Sequence, residues 1–235
     1  MNGQKMPPER PVVDGSEPVT LLGGGALGPG DLAEAMALAP RLVAADSGAD
    51  AALAAGLRPD AVIGDLDSIS PAARRTLPED LLHEVAEQDS TDFDKALRHV
   101  AVPLTLAVGF TGARLDHQLA VLHTLVARPA HRCIVLGERD IMFNAPRRIR
   151  LQLEEGTRVS LFPLARVTGR SRGLRWPIDG LEFHPARRIG TSNEATGADV
   201  EIEADAPGLL TILPRAALAM AVAALLDPRT EGWSV

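Results

Sequence analysis

Ala61-Val-Ile-Gly-Asp-Leu-Asp-Ser68 places two aspartates directly after a short apolar run. The β-branched residues predict a buried strand, and the glycine predicts its end. Because residues two apart in an extended chain point to the same side, Asp65 and Asp67 can face one point beyond the strand. Carboxylates at this spacing suit Mg²⁺ shared with substrate phosphates. Since Gly, Asp and Ser are also ordinary turn residues, the stretch alone leaves a metal site and a polar turn equally open.

Two similar units precede this stretch and predict a parallel α/β sheet. Val19–Leu22 runs directly into three glycines, and Arg41–Ala45 runs into Asp46. A helix is predicted after each strand, so the order is strand, helix, strand, helix, strand. The carboxyl ends of parallel strands meet at one edge of the sheet, where ligands bind. Asp46 is therefore expected to lie beside Asp65 and Asp67.

The glycines after the first strand are a second candidate feature. Gly24 and Gly25 would let the backbone approach a phosphate closely. The spacing differs from the dinucleotide-binding pattern, and a simple tight turn explains it equally well.

The segment Gln88–Lys95 predicts a helix start that carries charges of both signs. Ser90 or Thr91 can cap the helix, and Asp92 falls in its first turn, where the helix dipole favours acids. Lys95 lies three residues further on and reaches the same helix end. An acid and a base together at this position suit a metal-bound phosphate.

Another strand, Leu104–Val108, is followed by a glycine turn and a long helix whose first turn holds Arg114, Asp116 and His117. The guanidinium of Arg114 can contact a phosphate through two parallel hydrogen bonds. The alternative is an exposed Arg–Asp pair of small energetic value.

The pattern changes near residue 147. Short alternating segments separated by Gly, Pro and charged turns predict a small antiparallel β domain, as a sandwich or barrel. Ala216–Leu226 is predicted as a short apolar helix that docks on the fold or forms a dimer contact. We therefore expect a mobile leader over residues 1–18, a catalytic domain over 19–145 and a β domain over 146–235, with a loose tail after residue 226.

Composition excludes several function classes. With 46% hydrophobic residues in 235, the chain can bury a sizeable core. Its net charge of −7 and its 3% aromatic content argue against nucleic-acid binding. No apolar run is long enough to span a bilayer, so no membrane association is expected. The single cysteine, Cys133, excludes an intrachain disulfide and fits a reducing, cytoplasmic setting.

Taken in order, the motifs resemble those of the thiamine pyrophosphokinase (thiamin diphosphokinase) family. The motifs are Gly64-Asp-Leu-Asp-Ser68, Gln88-Asp-Ser-Thr-Asp92 with Lys95, Gly112-Ala-Arg-Leu-Asp-His117, Gly173-Leu-Arg-Trp176 and Thr191-Ser-Asn-Glu194. Each motif alone is common, but the ordered set is specific, and it extends over about residues 19–213.

The resemblance implies a parallel-sheet α/β nucleotide domain followed by an antiparallel β-sandwich. It implies a homodimer that binds thiamine where the two domains and the two subunits meet. The implied reaction transfers the pyrophosphoryl group of ATP to the thiamine hydroxyl, with Mg²⁺, and gives thiamine diphosphate and AMP.

The resemblance also implies roles for the matching residues. Catalytic roles fall to Asp65, Asp67, Gln88, Asp92 and Asp116. Mg²⁺ ligation falls to Asp65, Asp67 and Asp92. ATP or phosphate contacts fall to Gly24, Gly25, Asp46, Lys95, Arg114 and His117. Thiamine contacts fall to Trp176, Ser192 and Asn193.

Two positions depart from the family pattern. Ala113 stands where the family loop usually has a second glycine, so the loop is stiffer. Val121 stands where an asparagine is common, so a polar contact is lost or moved. Neither change removes a charged group.

Two other functions remain open at this point. A Mg²⁺-dependent phosphohydrolase acting on a nucleotide would use the same paired aspartates and phosphate contacts. A nucleotide- or thiamine-sensing protein would bind without reacting, since a fold does not fix a function.

Overall fold

A mixed ten-stranded sheet forms the centre of the computed structural model, which describes residues 10–112 and 114–234. The strands are β1 (Val13–Asp14), β2 (Val19–Leu22), β3 (Arg41–Ala45), β4 (Ala61–Gly64), β5 (Leu82–Glu84), β6 (Val100–Ala101), β7 (Thr105–Val108), β8 (Cys133–Leu136), β9 (Asp140–Asn144), β10 (Arg148–Gln152), β11 (Arg158–Pro163), β12 (Val167–Arg172), β13 (Glu182–Phe183), β14 (Gly190–Glu194), β15 (Asp199–Ala204) and β16 (Leu209–Pro214). The helices are α1 (Asp31–Leu38), α2 (Gly48–Ala54), α3 (Pro71–Thr76), α4 (Asp92–Arg98), α5 (Leu115–Ala127) and α6 (Leu218–Leu226). Short 3₁₀ turns cover Glu79–Leu81 and Arg215–Ala217.

The amino-terminal half of the large sheet is parallel, in the order β8-β7-β2-β3-β4-β5. Every residue of β2, β4, β7 and β8 is buried, as expected for strands covered on both faces. The chain winds outward from β2 through β3 and β4, and later returns to the other side of β2 as β7. This reversal leaves a crevice at the carboxyl ends of β2 and β7, where such sheets bind ligands.

The carboxy-terminal half is antiparallel and continues the same sheet. Strand β9 turns back against β8, and the sheet extends through β16 and β11 to β14 at its edge. A second sheet, in the order β10-β15-β12-β13, shares one hydrophobic core with these strands. The predicted α/β domain followed by a β-sandwich is therefore confirmed. The predicted boundary after residue 145 lies beyond β9, so backbone hydrogen bonds run continuously from one half into the other.

Several local expectations are wrong because tertiary contacts decide them. Gly190–Glu194, whose polar residues predict a loop, forms the edge strand β14. Val100, whose spacing from Phe93 and Ala96 predicts a place on the apolar stripe of α4, lies in β6 and pairs with β1. Strands β12 and β14 are rich in Gly, Ser, Thr and charged residues, and only their partners make them strands.

The expected mobile leader is packed over the part that the structure describes. Val13 is buried in β1, and the amides of Val12 and Val13 donate to the His99 carbonyl at 2.8 and 3.1 Å. Residues 1–9 lie outside the described part of the chain. Leader residues thus cover one side of the parallel half.

The expected loose tail is also packed. Thr230 is buried, and the Trp233 indole N–H donates to the Ala145 carbonyl at 2.9 Å. Helix α6 packs against β10 and buries Leu218 and Leu225 in the shared core. The tail therefore covers the junction between the two halves of the sheet.

Across residues 10–112 and 114–234, no helix has both the length and the apolar character needed to cross a membrane.

Candidate active site

A cavity of about 390 Å³ opens at the carboxyl edge of the parallel strands, beside the reversal between β2 and β7. Nine of the residues predicted from the sequence line it. They are Gly24, Gly25, Asp46, Asp65, Gln88, Asp92, Lys95, Arg114 and His117. The strand-end prediction thus places widely separated residues of the sequence around one space.

The glycine loop after β2 lies against the turn after β7. The amides of Gly23 and Gly25 donate to Val108 and Gly109 carbonyls, both at 2.8 Å. A Cβ at Gly25 would lie 2.5 Å from the Gly109 carbonyl oxygen, and one at Gly24 would lie 2.1 Å from Ser47 Oγ. These glycines are therefore needed for close packing of the loop, and the Gly23 and Gly25 amides are already used within the protein.

Three aspartates beyond β3 and β4 form a compact oxygen cluster. Asp46, Asp65 and Asp67 each offer one carboxylate oxygen, and these oxygens lie within 4.8 Å of one another. The backbone is held in the left-handed region at Asp46 (φ 44°) and at Leu66 (φ 61°), between the other two. Such conformations are uncommon outside glycine and concentrate at functional sites.

Asp46 is the buried member of this cluster. Its residue is 2% exposed, and its Oδ1 is buried without a hydrogen-bond partner among the described residues. Burial, followed by the nearby charge of Asp92, raises the pKa of Asp46 above its usual value. A buried carboxylate oxygen without a donor suits a cation, so these three residues fit a hard divalent ion such as Mg²⁺.

Lys95 provides the opposite charge from inside the fold. It is 1% exposed, and its Nζ contacts Asp65 Oδ2 at 2.8 Å and Asp92 Oδ1 at 3.4 Å. Burial lowers the pKa of Lys95, but the hydrogen bond to Asp65 and the charge of Asp92 outweigh it and raise the pKa overall. The hydrogen bond from Lys95 lowers the pKa of Asp65. Lys95 is therefore a fixed positive charge at the cavity wall.

Asp92 differs from the clustered aspartates in its surroundings. Desolvation, followed by the charge of Asp65, raises the pKa of Asp92. Its closest charged contact is with Lys95, and the three-oxygen cluster contains Asp46 in its place. The metal-binding role of Asp92 therefore stays a prediction, and Asp46 becomes a stronger ligand candidate than the sequence indicated.

The loop before α4 is shaped by Glu87, which the sequence analysis missed. Its carboxylate accepts from the amides of Asp89 and Ser90 at 2.8 and 3.1 Å, and from Arg98 Nη2 at 2.7 Å. The predicted Thr91 cap is present, since its hydroxyl accepts from the Asp94 amide at 3.3 Å. A carboxylate side chain often accepts hydrogen bonds from backbone amides two and three residues later in the chain. This local pattern could have indicated the role of Glu87 from the sequence.

Gln88 reaches the cluster from this loop. Its Nε2 lies 3.4 Å from Asp65 Oδ2, the oxygen that Lys95 also contacts. Asp65 thus receives donors from a loop and from a helix, which fixes its orientation.

Arg114, Asp116 and His117 lie at the exposed mouth of the cavity. Arg114 Nη2 contacts Asp116 Oδ2 at 2.6 Å, and both side chains are about two thirds exposed. The hydrogen bond from Arg114 lowers the pKa of Asp116 to about 2. Asp116 and Asp67 lie beside the cavity and do not line it. Ala113, one of the two family departures, lies outside the described residues.

A second cavity, of about 240 Å³, holds two of the three residues predicted to contact thiamine. Trp176 and Asn193 line it, together with apolar side chains such as Phe183 and Ile189. Asn193 Nδ2 donates to the Trp176 carbonyl at 2.7 Å, and Asn193 Oδ1 accepts from the Trp176 amide at 3.1 Å. Asn193 therefore holds the backbone of Trp176 in place, while the indole remains 54% exposed.

Ser192 lies beside this second cavity in strained backbone. Its φ is 61°, and its amide donates to Ser160 Oγ at 3.0 Å. The three non-glycine residues with positive φ in the described chain are Asp46, Leu66 and Ser192. All three belong to motifs predicted to bind substrate.

The two cavities are far apart within one chain. Strand β14 lies five strand positions from β7, which corresponds to about 24 Å at ~4.8 Å per strand. One chain therefore does not bring Trp176 and Asn193 to Asp65 and Lys95.

Neutral residues complete both cavities and were not identified from the sequence. In the first cavity they include Ser47, Ser68, Phe110 and Thr111. Each of these lies two to five residues after a predicted strand end, so position beside a strand end could have indicated them. In the second cavity, Ile178 and Phe183 come from segments whose sequence carries no comparable pattern.

Solved structures share this fold, and two of the following three are described as thiamin pyrophosphokinases. The chain matches "Thiamin pyrophosphokinase from Candida albicans" with a TM-score of 0.69 at 16% identity, covering 85% of this chain and 89% of that one. It matches the yeast thiamin pyrophosphokinase structure with a TM-score of 0.69 at 16% identity, covering 92% and 90%. A structure from Lactobacillus plantarum gives a TM-score of 0.70 at 24% identity, covering 85% and 98%. At these identities the matches establish the fold.

Curated relatives come from plants. Thiamine pyrophosphokinase 3 of Oryza sativa is 28% identical over 155 residues, which is 58% of each chain. Thiamine pyrophosphokinase 1 of Arabidopsis thaliana is 28% identical over 174 residues, which is 66% of this chain and 65% of that protein. The chain thus spans less than two thirds of the length of these relatives.

Family models match both halves of the chain. The thiamin pyrophosphokinase catalytic domain matches residues 32–136, which include the clustered aspartates and Lys95. The thiamin pyrophosphokinase vitamin B1 binding domain matches residues 147–209, which include Trp176 and Asn193. Since the two matches follow one another in the expected order and together take in well over half of the residues, the chain belongs to the thiamin pyrophosphokinase family.

Proposed function

We propose that this protein is a thiamine pyrophosphokinase that transfers the pyrophosphoryl group of ATP to the hydroxyl of thiamine, giving thiamine diphosphate and AMP. The observation that carries the proposal is the cluster of three carboxylates at the first cavity, two of them in its wall and one beside it, next to a buried lysine at the reversal of a parallel sheet. The matches to the catalytic and vitamin B1 binding domains support the same reaction.

Asp46, Asp65 and Asp67 are the residues that would hold Mg²⁺, with Asp92 as a further candidate from the family resemblance. The fit rests on oxygen chemistry and on the unpartnered buried oxygen of Asp46. When bound, Mg²⁺ would neutralise negative charge, so that these carboxylates and a polyphosphate could lie close together without repelling each other.

Lys95 and Arg114 supply the positive charge of the protein itself. Phosphoryl transfer spreads negative charge over the phosphate oxygens, so prepositioned cations lower its barrier. Lys95 is held rigidly by two carboxylates, whereas Arg114 is exposed and can turn from Asp116 towards a phosphate.

This movement of Arg114 bears on the predicted role of Asp116 as the base for the thiamine hydroxyl. With a pKa of about 2, Asp116 is a poor proton acceptor while Arg114 is bound to it. When Arg114 contacts a phosphate instead, Asp116 loses the donor that lowers its pKa. We infer that nucleotide binding makes Asp116 more basic.

The distance between the two cavities supports a homodimer with a shared substrate site. Thiamine is too short to bridge about 24 Å. A shared site therefore requires the second cavity of one subunit to face the first cavity of another. Leu115 and Leu119, on α5 at the mouth of the first cavity, are 71% and 55% exposed. Ile189 and Trp176 are exposed at the second cavity, so the two regions offer apolar surfaces that a dimer would bury.

Charge also favours this pairing. The first cavity is surrounded by aspartates, whereas Arg188 lines the second and the Arg175 guanidinium lies 5.0 Å from the Trp176 ring. Opposite charges steer two surfaces together and fix their orientation. We further propose a cytoplasmic location, which the single buried Cys133 supports.

The test is to incubate the purified protein with ATP, Mg²⁺ and thiamine and to quantify AMP and thiamine diphosphate together. Equal amounts of both products, dependent on all three reagents, are expected. ATP hydrolysis that proceeds without thiamine would identify a phosphohydrolase instead. Binding of ATP and thiamine without formation of AMP would identify a binding protein.

A further inference from the structure

Arg215 joins the antiparallel half of the sheet to the helix that follows the glycine loop. It is the first residue after β16, and its amide donates to the Arg139 carbonyl at 2.9 Å. Its Nη1 contacts Asp31 Oδ1 at 2.7 Å, and its Nη2 contacts Glu34 Oε2 at 2.5 Å. Both acids lie in the first turn of α1. One arginine from the antiparallel half of the chain thus holds the start of a helix in the parallel half.

The Asp31 carboxylate connects Arg215 to the glycine loop. While its Oδ1 contacts Arg215, its Oδ2 accepts from the Gly28 amide at 2.7 Å. The Asp31 amide in turn donates to the Gly28 carbonyl at 3.2 Å. Two hydrogen bonds therefore join Gly28 to Asp31 and fix the turn between them. Glu34 shares the contact with Arg215, and its amide donates to the Gly30 carbonyl at 2.9 Å. Among the described residues its side chain makes no hydrogen bond to the loop, so Glu34→Ala leaves the loop's hydrogen bonds in place.

The loop held in this way borders the first cavity. It runs from Gly23 to Gly30, and Gly24 and Gly25 line the cavity wall. Its front is fixed by the Gly25 amide on the Gly109 carbonyl, and its rear is fixed by Asp31. Five of its eight residues are glycine, so it has large conformational freedom unless contacts restrict it. Asp31 and Arg215 supply the restriction at the rear.

We propose that Arg215 and Asp31 are positioning residues that hold the glycine loop in the shape that admits the phosphates of the nucleotide. Neither residue lines the cavity, so each acts through the loop. The proposal rests on the proposed function, because it assigns the nucleotide to the first cavity. It adds a specific dependence of nucleotide affinity on a contact from the other half of the chain.

The experiment compares Asp31→Ala with Glu34→Ala. Each variant removes one acid from the first turn of α1 and one partner of Arg215, but only Asp31→Ala releases the Gly28 amide. The loss of a charged hydrogen bond that shapes the loop is expected to raise the KM for ATP about tenfold in Asp31→Ala. Glu34→Ala should change it less than about twofold, by the weaker loss of one exposed pair. The KM for thiamine should remain unchanged in both.

Arg215→Ala should raise the KM for ATP by less than Asp31→Ala, because it frees the Asp31 carboxylate but leaves its hydrogen bond from the Gly28 amide in place. If the two acid variants raise the KM for ATP equally, or if the KM for thiamine rises in parallel, the cluster only stabilises the fold and the proposal is wrong. If Asp31→Ala does not fold, Asp31→Asn replaces it, since the amide oxygen still accepts from Gly28 but binds Arg215 weakly. A smaller rise in the KM for ATP is then expected, and no rise would overturn the proposal.

Binding of a non-hydrolysable ATP analogue, measured by calorimetry on the same variants, separates this proposal from the proposed function. If the wild-type protein makes no AMP and thiamine diphosphate, the proposed function fails. The analogue must still bind Asp31→Ala more weakly than Glu34→Ala if the loop is positioned as we propose.

Discussion

The first cavity holds its charged groups in place within one chain, whereas the second presents its aromatic group to solvent. Lys95 is buried between two carboxylates, and Asp46 is fixed in left-handed backbone at a strand end. Trp176 is held through its backbone by Asn193, its ring is contacted by the Arg175 guanidinium, and the residue is more than half exposed. In terms of the proposed function, the phosphate site would be preorganised within one chain, while the thiamine site would be completed by the dimer that we propose.

The largest expected effect is a loss of turnover when the aspartate cluster at the first cavity is changed. Asp67→Asn should lower turnover about a thousandfold, because one oxygen of the charge cluster loses its negative charge. Folding should be nearly unchanged, since Asp67 is exposed. Steady-state rates of AMP formation measure the effect, and Asp89→Asn, an exposed acid in a neighbouring loop, is the control. Normal turnover in Asp67→Asn would contradict the metal-site assignment.

Replacing Lys95 by Met tests whether the first cavity is preorganised by a buried charge. The change leaves Asp65 and Asp92 facing each other without a cation and should lower the free energy of unfolding by about 3–5 kcal/mol. Urea unfolding monitored by circular dichroism measures it. Adding Asp65→Asn to Lys95→Met should recover part of the loss, because one uncompensated charge is removed. A double variant as unstable as Lys95→Met would contradict this explanation.

A third test concerns assembly. Leu119→Glu places a charge on the exposed apolar face of α5 and should convert the proposed dimer to monomers with little thiamine-dependent activity. Sedimentation velocity measures the oligomeric state. The matched control is Met220→Glu, at an exposed apolar position on α6, the helix predicted from the sequence to dock on the fold or to form a dimer contact. If Met220→Glu dissociates the dimer and Leu119→Glu does not, the interface lies on α6.

A change in the second cavity should affect the KM for thiamine and leave the KM for ATP as it is. Trp176→Ala removes an aromatic surface and should raise the KM for thiamine about tenfold, with the KM for ATP unchanged. Trp176→Phe should restore most of the affinity, because a flat ring remains. Equal increases in both KM values would mean that the two cavities are not separate in function.

The same comparison explains what the sequence could predict. Around Asp46 and Asp65, each strand is a short apolar run that ends at a glycine or acid, so local pattern determines both the element and its edge. Convergence of these residues then follows from the rule that parallel strands share one carboxyl edge.

In the β half, β12 and β14 have polar sequences that only their neighbours turn into strands. The path that joins Arg215 to Gly28 spans residues nearly two hundred positions apart. No spacing rule links them, because their contact is created by the continuous sheet. The burial of Lys95 could not be predicted from the sequence either, since a lysine in a short helix is normally exposed.

The smallest expected effect is a change in thermal stability when Asp46, in the wall of the first cavity, is replaced. Because burial raises the pKa of Asp46, its charged form destabilises the metal-free protein near neutral pH. Asp46→Asn should therefore raise the thermal midpoint without Mg²⁺ by a few degrees, and asparagine tolerates the positive φ at this position. The gain should fade as the pH falls through the folded-state pKa of Asp46 and disappear below 3.8, where the carboxyl becomes neutral in both states. Scanning calorimetry with and without Mg²⁺ measures both effects, since the variant should also lose the stabilisation that Mg²⁺ gives the wild type. A variant that is less stable without Mg²⁺ would mean that the Asp46 carboxylate is compensated within the protein.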